Sequence, residues 1–354
     1  MEFQDFAPKL TMLLYGVIAF VVVVGGLLLL LDVVPNFFAR RREAALIAAA
    51  EAPADGAAPG APPRRGLRRK REGLLGLAFM IPALLLLLIG LVIPAIRTII
   101  LSLFNGNGEK FVGLRNYGWI FQENDIIRVL INTLAWVILV PLLATSVGLL
   151  YAVMIDRARF ESVAKSLIFL PMAISFVGAG IIWKFVYAYR GEGDQIGLLN
   201  WLWVTVGGTP QQWLLDPPLN TLLLIVVMVW IQAGFSMVIL SAAIKAIPAD
   251  IVEAARLDGV TPWQMFWRVT LPSIRPSLIV VVVTITIATL KVFDIVRTMT
   301  NGNYDTNVVA LEMYNQAFRY QENGQGSALA VFLFILVIPI VIFQIRNLRR
   351  QREV

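Results

Sequence analysis

Neither cysteine nor histidine occurs among the 354 residues. Their absence removes disulfides, Cys–His and Ser–His–Asp nucleophiles, imidazole proton relays, and thiolate or imidazole zinc sites. Charge is scarce as well. Asp, Glu, Lys and Arg make up 15% of the chain, against roughly 25% in soluble domains. So little polar surface cannot cover a water-soluble globule, and a chain that is 58% hydrophobic needs lipid as part of its solvent. A G-x-x-x-x-G-K-[ST] phosphate loop is also missing, so any nucleotide that drives this protein binds to another chain. The net charge of +7 does not imply a nucleic-acid partner, because the basic residues follow membrane topology, as shown below.

Long apolar runs take the place of these features. About 20 apolar residues cross a hydrocarbon core, and the stretches 11–31, 74–101, 130–155, 167–187, 220–243, 276–296 and 327–345 qualify. This predicts an all-α polytopic membrane protein with about seven transmembrane helices, one extra at the N-terminus and six forming a core. The apolar piece 196–206 is too short to span and reads as interfacial, with Trp201 and Trp203 at headgroup depth. Residues 1–34 carry the extra helix. Its acidic flank, Glu2 and Asp5, favours a retained span over a cleaved signal. Residues 35–73, rich in Ala, Pro, Gly and Arg, read as a flexible basic cytoplasmic linker able to lie against anionic lipid. Residues 74–354 form the transmembrane domain, with a cytoplasmic loop at 244–275.

Orientation follows from Lys and Arg. With the linker inside and alternation from there, the inner segments hold 20 basic residues and the outer segments six, from Lys9 to Arg319. That is a positive-inside bias, and it predicts an outer N-terminus and a cytoplasmic C-terminus.

The inner loop AIKAIPADIVEAARLDGVTPWQMFWRVTLPSIRP (243–276) has legible local chemistry. Pro248 suits a first helical turn, Asp250 and Glu253 favour the helix's positive end, and Gly259 is a natural stop. Thr261 caps a second short helix with Pro262 at its first position, and Pro272 is expected to end it. Ala254 and Ala255 make the first helix small enough to approach another backbone, rimmed by Glu253 and Arg256. Two readings stand on residues alone: a peg for a groove on a partner protein, or a loop helix lying on the membrane.

The stretch EAARLDGVTPWQMFWRVTLP resembles the EAA loop of ABC importer permeases, EAA-x3-G-x9-I-x-LP. Glu253, Ala254, Ala255, Gly259, Leu271 and Pro272 fall on that pattern, Asp258 suits its common form, and Val269 replaces the usual Ile. A second triplet, Glu43–Ala44–Ala45, lacks the glycine, with Ala49 in its place. The resemblance implies that this loop is a coupling helix docked on an ATP-hydrolysing subunit. It implies that the chain pairs with a second permease, two ATP-binding subunits that hold Mg–ATP, and an extracytoplasmic solute-binding protein. It further implies a bacterial inner membrane and a chain that is not itself an enzyme and carries no cofactor or metal.

Other residues resemble the carbohydrate branch of that family, of maltose and α-glucoside type. They are FVGLRNYGWIF with Gly113, Leu114, Asn116 and Tyr117; the pair Asn132–Thr133; LKVFDIVRTMTNG with Phe293, Asp294 and Thr300; and MYNQAF at 313–318. Asn301–Gly302–Asn303 departs from the usual ending of the third. The substrate implied is a sugar; independently, sugar recognition wants aromatic faces and hydrogen-bonding amides or carboxylates, and Asn132, Trp230, Gln232, Ser236, Lys291 and Asp294, within or near the spans, are candidates for its pathway. Against each stands a structural reading. Lys291 and Asp294, three apart on one expected helix, can form an ion pair. Trp183 and Trp230 can be packing or lipid residues, and Arg97 and Lys184 can snorkel. The rival functions are an importer of this class for a polyol, glycerol phosphate or peptide, an ATP-independent carrier, a membrane enzyme, or a non-transporting scaffold.

Overall fold

Backbone groups in lipid have no water to bond, so an apolar chain satisfies them within helices. The computed structural model describes residues 80–155 and 160–352, and among these helix is the only extended secondary structure. The predicted span 11–31, the linker 35–73 and the triplet Glu43–Ala44–Ala45 lie outside the described residues.

The chain divides into two units, Met1–Pro94 and Ala95–Val354. In the first, the described stretch is apolar throughout and helical, with a π turn at Leu88–Val92, and it opens the helix Met80–Leu101 (α1). The second unit continues with α2 (Arg115–Gln122), α3 (Asn124–Ile155), α4 (Glu161–Phe169), α5 (Phe176–Val186), α6 (Leu198–Thr205) and α7 (Leu219–Lys245). It ends with α8 (Ala249–Leu257), α9 (Pro262–Gln264), α10 (Leu271–Leu290), α11 (Asp294–Met299), α12 (Val309–Tyr314) and α13 (Asn323–Arg352). Among the described residues four helices, α1, α3, α7 and most of α13, are long and apolar enough to cross a membrane, or up to six if each of two bent pairs counts as one span.

The bent pairs correct the sequence reading. The stretch 167–187 is not one straight helix. Glu161–Ala173 and Phe176–Val186 meet at 101°. Pro171 sits in a 3-10 turn at Leu170–Ala173, Ile174 is extended, and the Ser175 hydroxyl restarts the helix by accepting from the Gly178 N–H. The span expected at 276–296 stops at Leu290. Single turns then carry Lys291 and Val292 into Phe293 before α11 begins at Asp294. Lys291 and Asp294 are therefore on different helices, and the one-helix ion pair is not formed. At the other end Pro272 does not stop the second loop helix. The backbone stays helical through a π turn at Met265–Thr270 and bends by 68° between Ser273 and Arg275. Pro276 accounts for the bend: it lacks an N–H and its ring crowds the carbonyl four residues back, at Pro272. Finally, α3 starts at Asn124 rather than 130.

Packing is helix on helix. Along α3 the buried residues Val129, Thr133, Trp136, Val140, Ala144 and Gly148 recur at three- and four-residue spacing. The opposite face, Ile131, Leu134, Ile138 and Leu142, is exposed and equally apolar. A helix apolar all round, with one face uncovered by protein, belongs in a membrane. The inner face packs on α7 and α10, in one cluster with Leu224, Met228 and Ile231 of α7 and Val281 and Ile285 of α10, which Ile295 of α11 also joins. A second cluster joins Ile120, Ile126 and Val129 to Val309, Ala328 and Leu329. Gly148 sets the α3–α7 distance. A Cβ there would stand 2.8 Å from the Ala233 carbonyl oxygen and would collide with Ser236, the small-residue contact that lets membrane helices meet closely.

Candidate functional site

The loop at 244–275 is held by its own hydrogen bonds. Pro248 is the N-cap of α8, one residue earlier than the sequence suggested, with Asp250 in the first turn and Arg256 in the last. Both charges complement the helix dipole. At the C-terminus the Gly259 N–H donates to the Arg256 carbonyl and the Val260 N–H to the Ala255 carbonyl. That pair is a Schellman motif, and it needs the left-handed residue that Gly259 provides at φ 74°. Two residues on, Thr261 and Gln264 form a reciprocal capping box: the Gln264 N–H donates to the Thr261 hydroxyl, and the Thr261 N–H to the Gln264 side-chain oxygen. Pro262 takes the first helical position. Both ends of the turn are closed, so the loop is a rigid element rather than a flexible connection.

Its surface is divided. Glu253, Ala254, Arg256, Asp258 and Gly259 are exposed, whereas Ala255 is buried. The two alanines therefore differ in role: Ala254 faces outward, and Ala255 lets α8 lie against the π turn that it contacts. Leu257 is 88% exposed and Ile251 is exposed beside it. Leu271 is half-buried and Pro272 exposed where α10 begins. Beneath this loop an ion cluster that sequence reasoning missed ties α4 to the end of α7: Lys165 lies 2.8 Å from Glu161, and Lys245 bonds the same carboxylate oxygen. Its signal was the Glu161–Lys165 spacing, which puts opposite charges on one helix face.

The pathway candidates are not gathered in one place. Ser236 is fully buried on α7, against the close approach at Gly148. Gln232, on the same helix, is also buried. Trp230 is half-buried and meets Trp183 edge-to-face at 5.6 Å, with Tyr187 5.2 Å from Trp183. Lys291 is exposed at the end of α10, and Asp294 half-buried at the start of α11. Asn132 lies towards the opposite end of α3 from the loop, where its amide N–H groups donate to the carbonyls of Asp305 (2.5 Å) and Asn307 (3.0 Å).

Asn132 belongs to a clamp on segment 300–308. The Thr133 hydroxyl accepts from the Val309 N–H, Asn220 donates to the Tyr304 carbonyl, and Arg128 pairs with Asp305 at 3.1 Å. Asn301, Tyr304 and Asp305 are all left-handed, a conformation costly for tyrosine. A cavity of about 330 Å³ opens here, lined by Asp125, Arg128, Asn132, Asp305, Asn307 and Glu312 among others. The buried Glu312 carboxylate accepts from Asn307 and Gln316, both at 2.6 Å. Asn220 and Glu312 were missed. Asn220–Thr221 repeats the Asn132–Thr133 pair near the start of another span, and that repetition was the available signal.

Residues 144–353 match the family described as binding-protein-dependent transport system inner membrane component. The osmoprotective compounds uptake permease protein GgtC of Synechocystis sp. is 49% identical over 78% of this chain and 99% of its own length. The alpha-glucoside transport system permease protein AglF of Rhizobium meliloti is 47% identical over 77% of this chain and 82% of its own. Among solved structures, the bacterial alginate ABC transporter in complex with an alginate pentasaccharide-bound periplasmic protein aligns over 81% of this chain and 98% of its own, at 24% identity and a TM-score of 0.70, which shows a shared fold.

Proposed function

The chain belongs to the family of binding-protein-dependent transport system inner membrane components, and on that premise we propose that it is a sugar-importing permease subunit, for α-glucosides or other oligosaccharides. It forms half of a translocation path with a second permease. Two ATP-binding subunits dock on the loop at 244–275 and hold Mg–ATP, and an extracytoplasmic binding protein delivers solute to the other side. The N-terminus is outside and the C-terminus cytoplasmic, an orientation supported by the basic residues of the inner loops.

One observation carries the coupling half of this reading. Glu253 and Ala254 on α8, and Asp258 and Gly259 in the turn after it, are presented outward, and that turn is closed on one side by the Schellman motif ending α8 and on the other by the capping box starting α9. A closed element of this kind transmits a rigid-body displacement, which a slack loop would absorb. The π turn at Met265–Thr270 joins it directly to α10, which bends at Ser273–Arg275, and the contact of α10 with α3 and α7 gives the displacement a route into the core. The sugar half is supported by the likeness to AglF. A second reading, import of an osmoprotective compound, is favoured by the comparable likeness to GgtC.

The test is ATPase activity in proteoliposomes holding the chain, its partner permease, the ATPase and the binding protein, with single solutes added. Stimulation by an α-glucoside is expected. Stimulation by osmoprotective solutes alone selects the second reading, and none by either class removes both.

A further inference from the structure

The exposed apolar surface of the loop continues past α8. Trp263 is 71% exposed and Trp267 49% exposed. They meet edge-to-face at 5.5 Å, and Phe266 packs on Trp267 at 5.2 Å. Arg268 and Arg275 are exposed beside them. Two indole rings held this far out of a core need something to cover them.

Span geometry says what covers them. The straight part of the following span, Arg275–Leu290, has 16 residues and a length of about 24 Å at 1.5 Å per residue. A hydrocarbon core is about 30 Å thick. With Lys291 exposed at one end, the bilayer surface at the other end falls before Arg275, within the bent segment Pro262–Ser273. That segment is inclined at 68° to the span, so each residue advances only about 0.6 Å in depth, and the whole segment stays within about 7 Å. It therefore crosses roughly the last 6 Å of a core about 30 Å thick and runs along the boundary between hydrocarbon and headgroups, where tryptophan concentrates and from which arginine reaches lipid phosphate.

We propose that Pro262–Ser273 is an interfacial anchor: Trp263 and Trp267 lie at the boundary between the hydrocarbon core and the headgroups, and Arg268 and Arg275 contact anionic lipid, rather than a protein partner. The exposed apolar surface of the loop then serves two occupants. Leu257 and Ile251 on α8 remain for a protein, an assignment that rests on the docking reading above. The tryptophans belong to lipid, which requires only a membrane-embedded chain.

The natural absence of cysteine makes the test direct. Trp263→Cys, Trp267→Cys and Leu257→Cys chains, assembled with the partner permease in bilayers of phosphatidylethanolamine and phosphatidylglycerol, receive a nitroxide label. Collision with oxygen, which enters lipid, is compared with collision with a water-soluble nickel chelate. The oxygen-to-nickel ratio is expected to be several-fold higher at 263 and 267 than at 257, with no change at 263 and 267 on adding ATPase subunits. A water-like ratio at either tryptophan position, or shielding of either by the ATPase subunits, overturns the anchor. A second readout avoids the label: bilayer lipids brominated near the headgroup quench wild-type fluorescence more than that of the Trp263→Phe/Trp267→Phe chain, and equal fractional quenching overturns the proposal as well. Shielding at 257 alone reports on the docking reading and leaves the anchor decided by 263 and 267.

Discussion

Gly148 and Gly259 are both required, for unrelated reasons. At Gly148 the backbone torsions are ordinary and the space is absent, since Ala233 and Ser236 of α7 occupy the place of a side chain. Gly148→Ala is therefore expected to separate α3 from α7 and to cost about 1–3 kcal/mol, the usual range for overpacking a fitted core. Denaturant midpoints of the full chain in lipid–detergent micelles measure this, and an unchanged midpoint contradicts the close approach. At Gly259 the space is open and the torsion is the constraint, with φ at 74°. Gly259→Ala is expected to cost about 1–2 kcal/mol in the turn, and Gly259→Asn much less, because asparagine visits the left-handed region readily. The order Gly, Asn, Ala in the thermal midpoint of the assembled transporter checks it.

At the scale of elements, the loop and the clamp are both built from hydrogen bonds rather than apolar contact. Thr261→Ala removes the capping-box acceptor and is expected to cost about 1 kcal/mol, seen as faster amide exchange at 261–270 with the spans unchanged. Asn220→Ala removes the donor to the Tyr304 carbonyl, a loss of about 1–3 kcal/mol for a polar group left unpaired. Exchange is then expected to quicken at 300–308; protection equal to wild type there means that the clamp does not hold the segment. These two elements also mark what could be read in advance. The loop was legible because its signals are local: Pro248, Gly259, Thr261 and Pro262 each act within four residues. The apolar runs were legible in the same way. The clamp was not, because Asn132 and Asn220 meet segment 300–308 across more than 80 residues of sequence. The helix breaks at Ile174 and after Leu290 were hidden by apolar continuity, since hydropathy counts residues and does not register a turn. Pro272 misled in the other direction: a proline near the start of α10 is tolerated, and the bend falls instead where Pro276 crowds the preceding turn.

For the whole molecule, rigidity is distributed so that a push on one end can reach the other. The loop, whose central turn is closed on both sides, leads into α10; α10 packs on α3 and α7; and α3 and α7 carry Asn132 and Asn220, which hold segment 300–308. The central claim is that solute movement is driven through that loop. It is tested most directly by uptake of a labelled α-glucoside into proteoliposomes containing the full assembly, with ATP on the side of the ATPase subunits, comparing the wild-type chain with Gly259→Pro. The account predicts ATP-dependent uptake by the wild type and its loss in the variant while ATP hydrolysis persists or assembly weakens. Uptake without the ATPase subunits, or at the wild-type rate through Gly259→Pro, would contradict it.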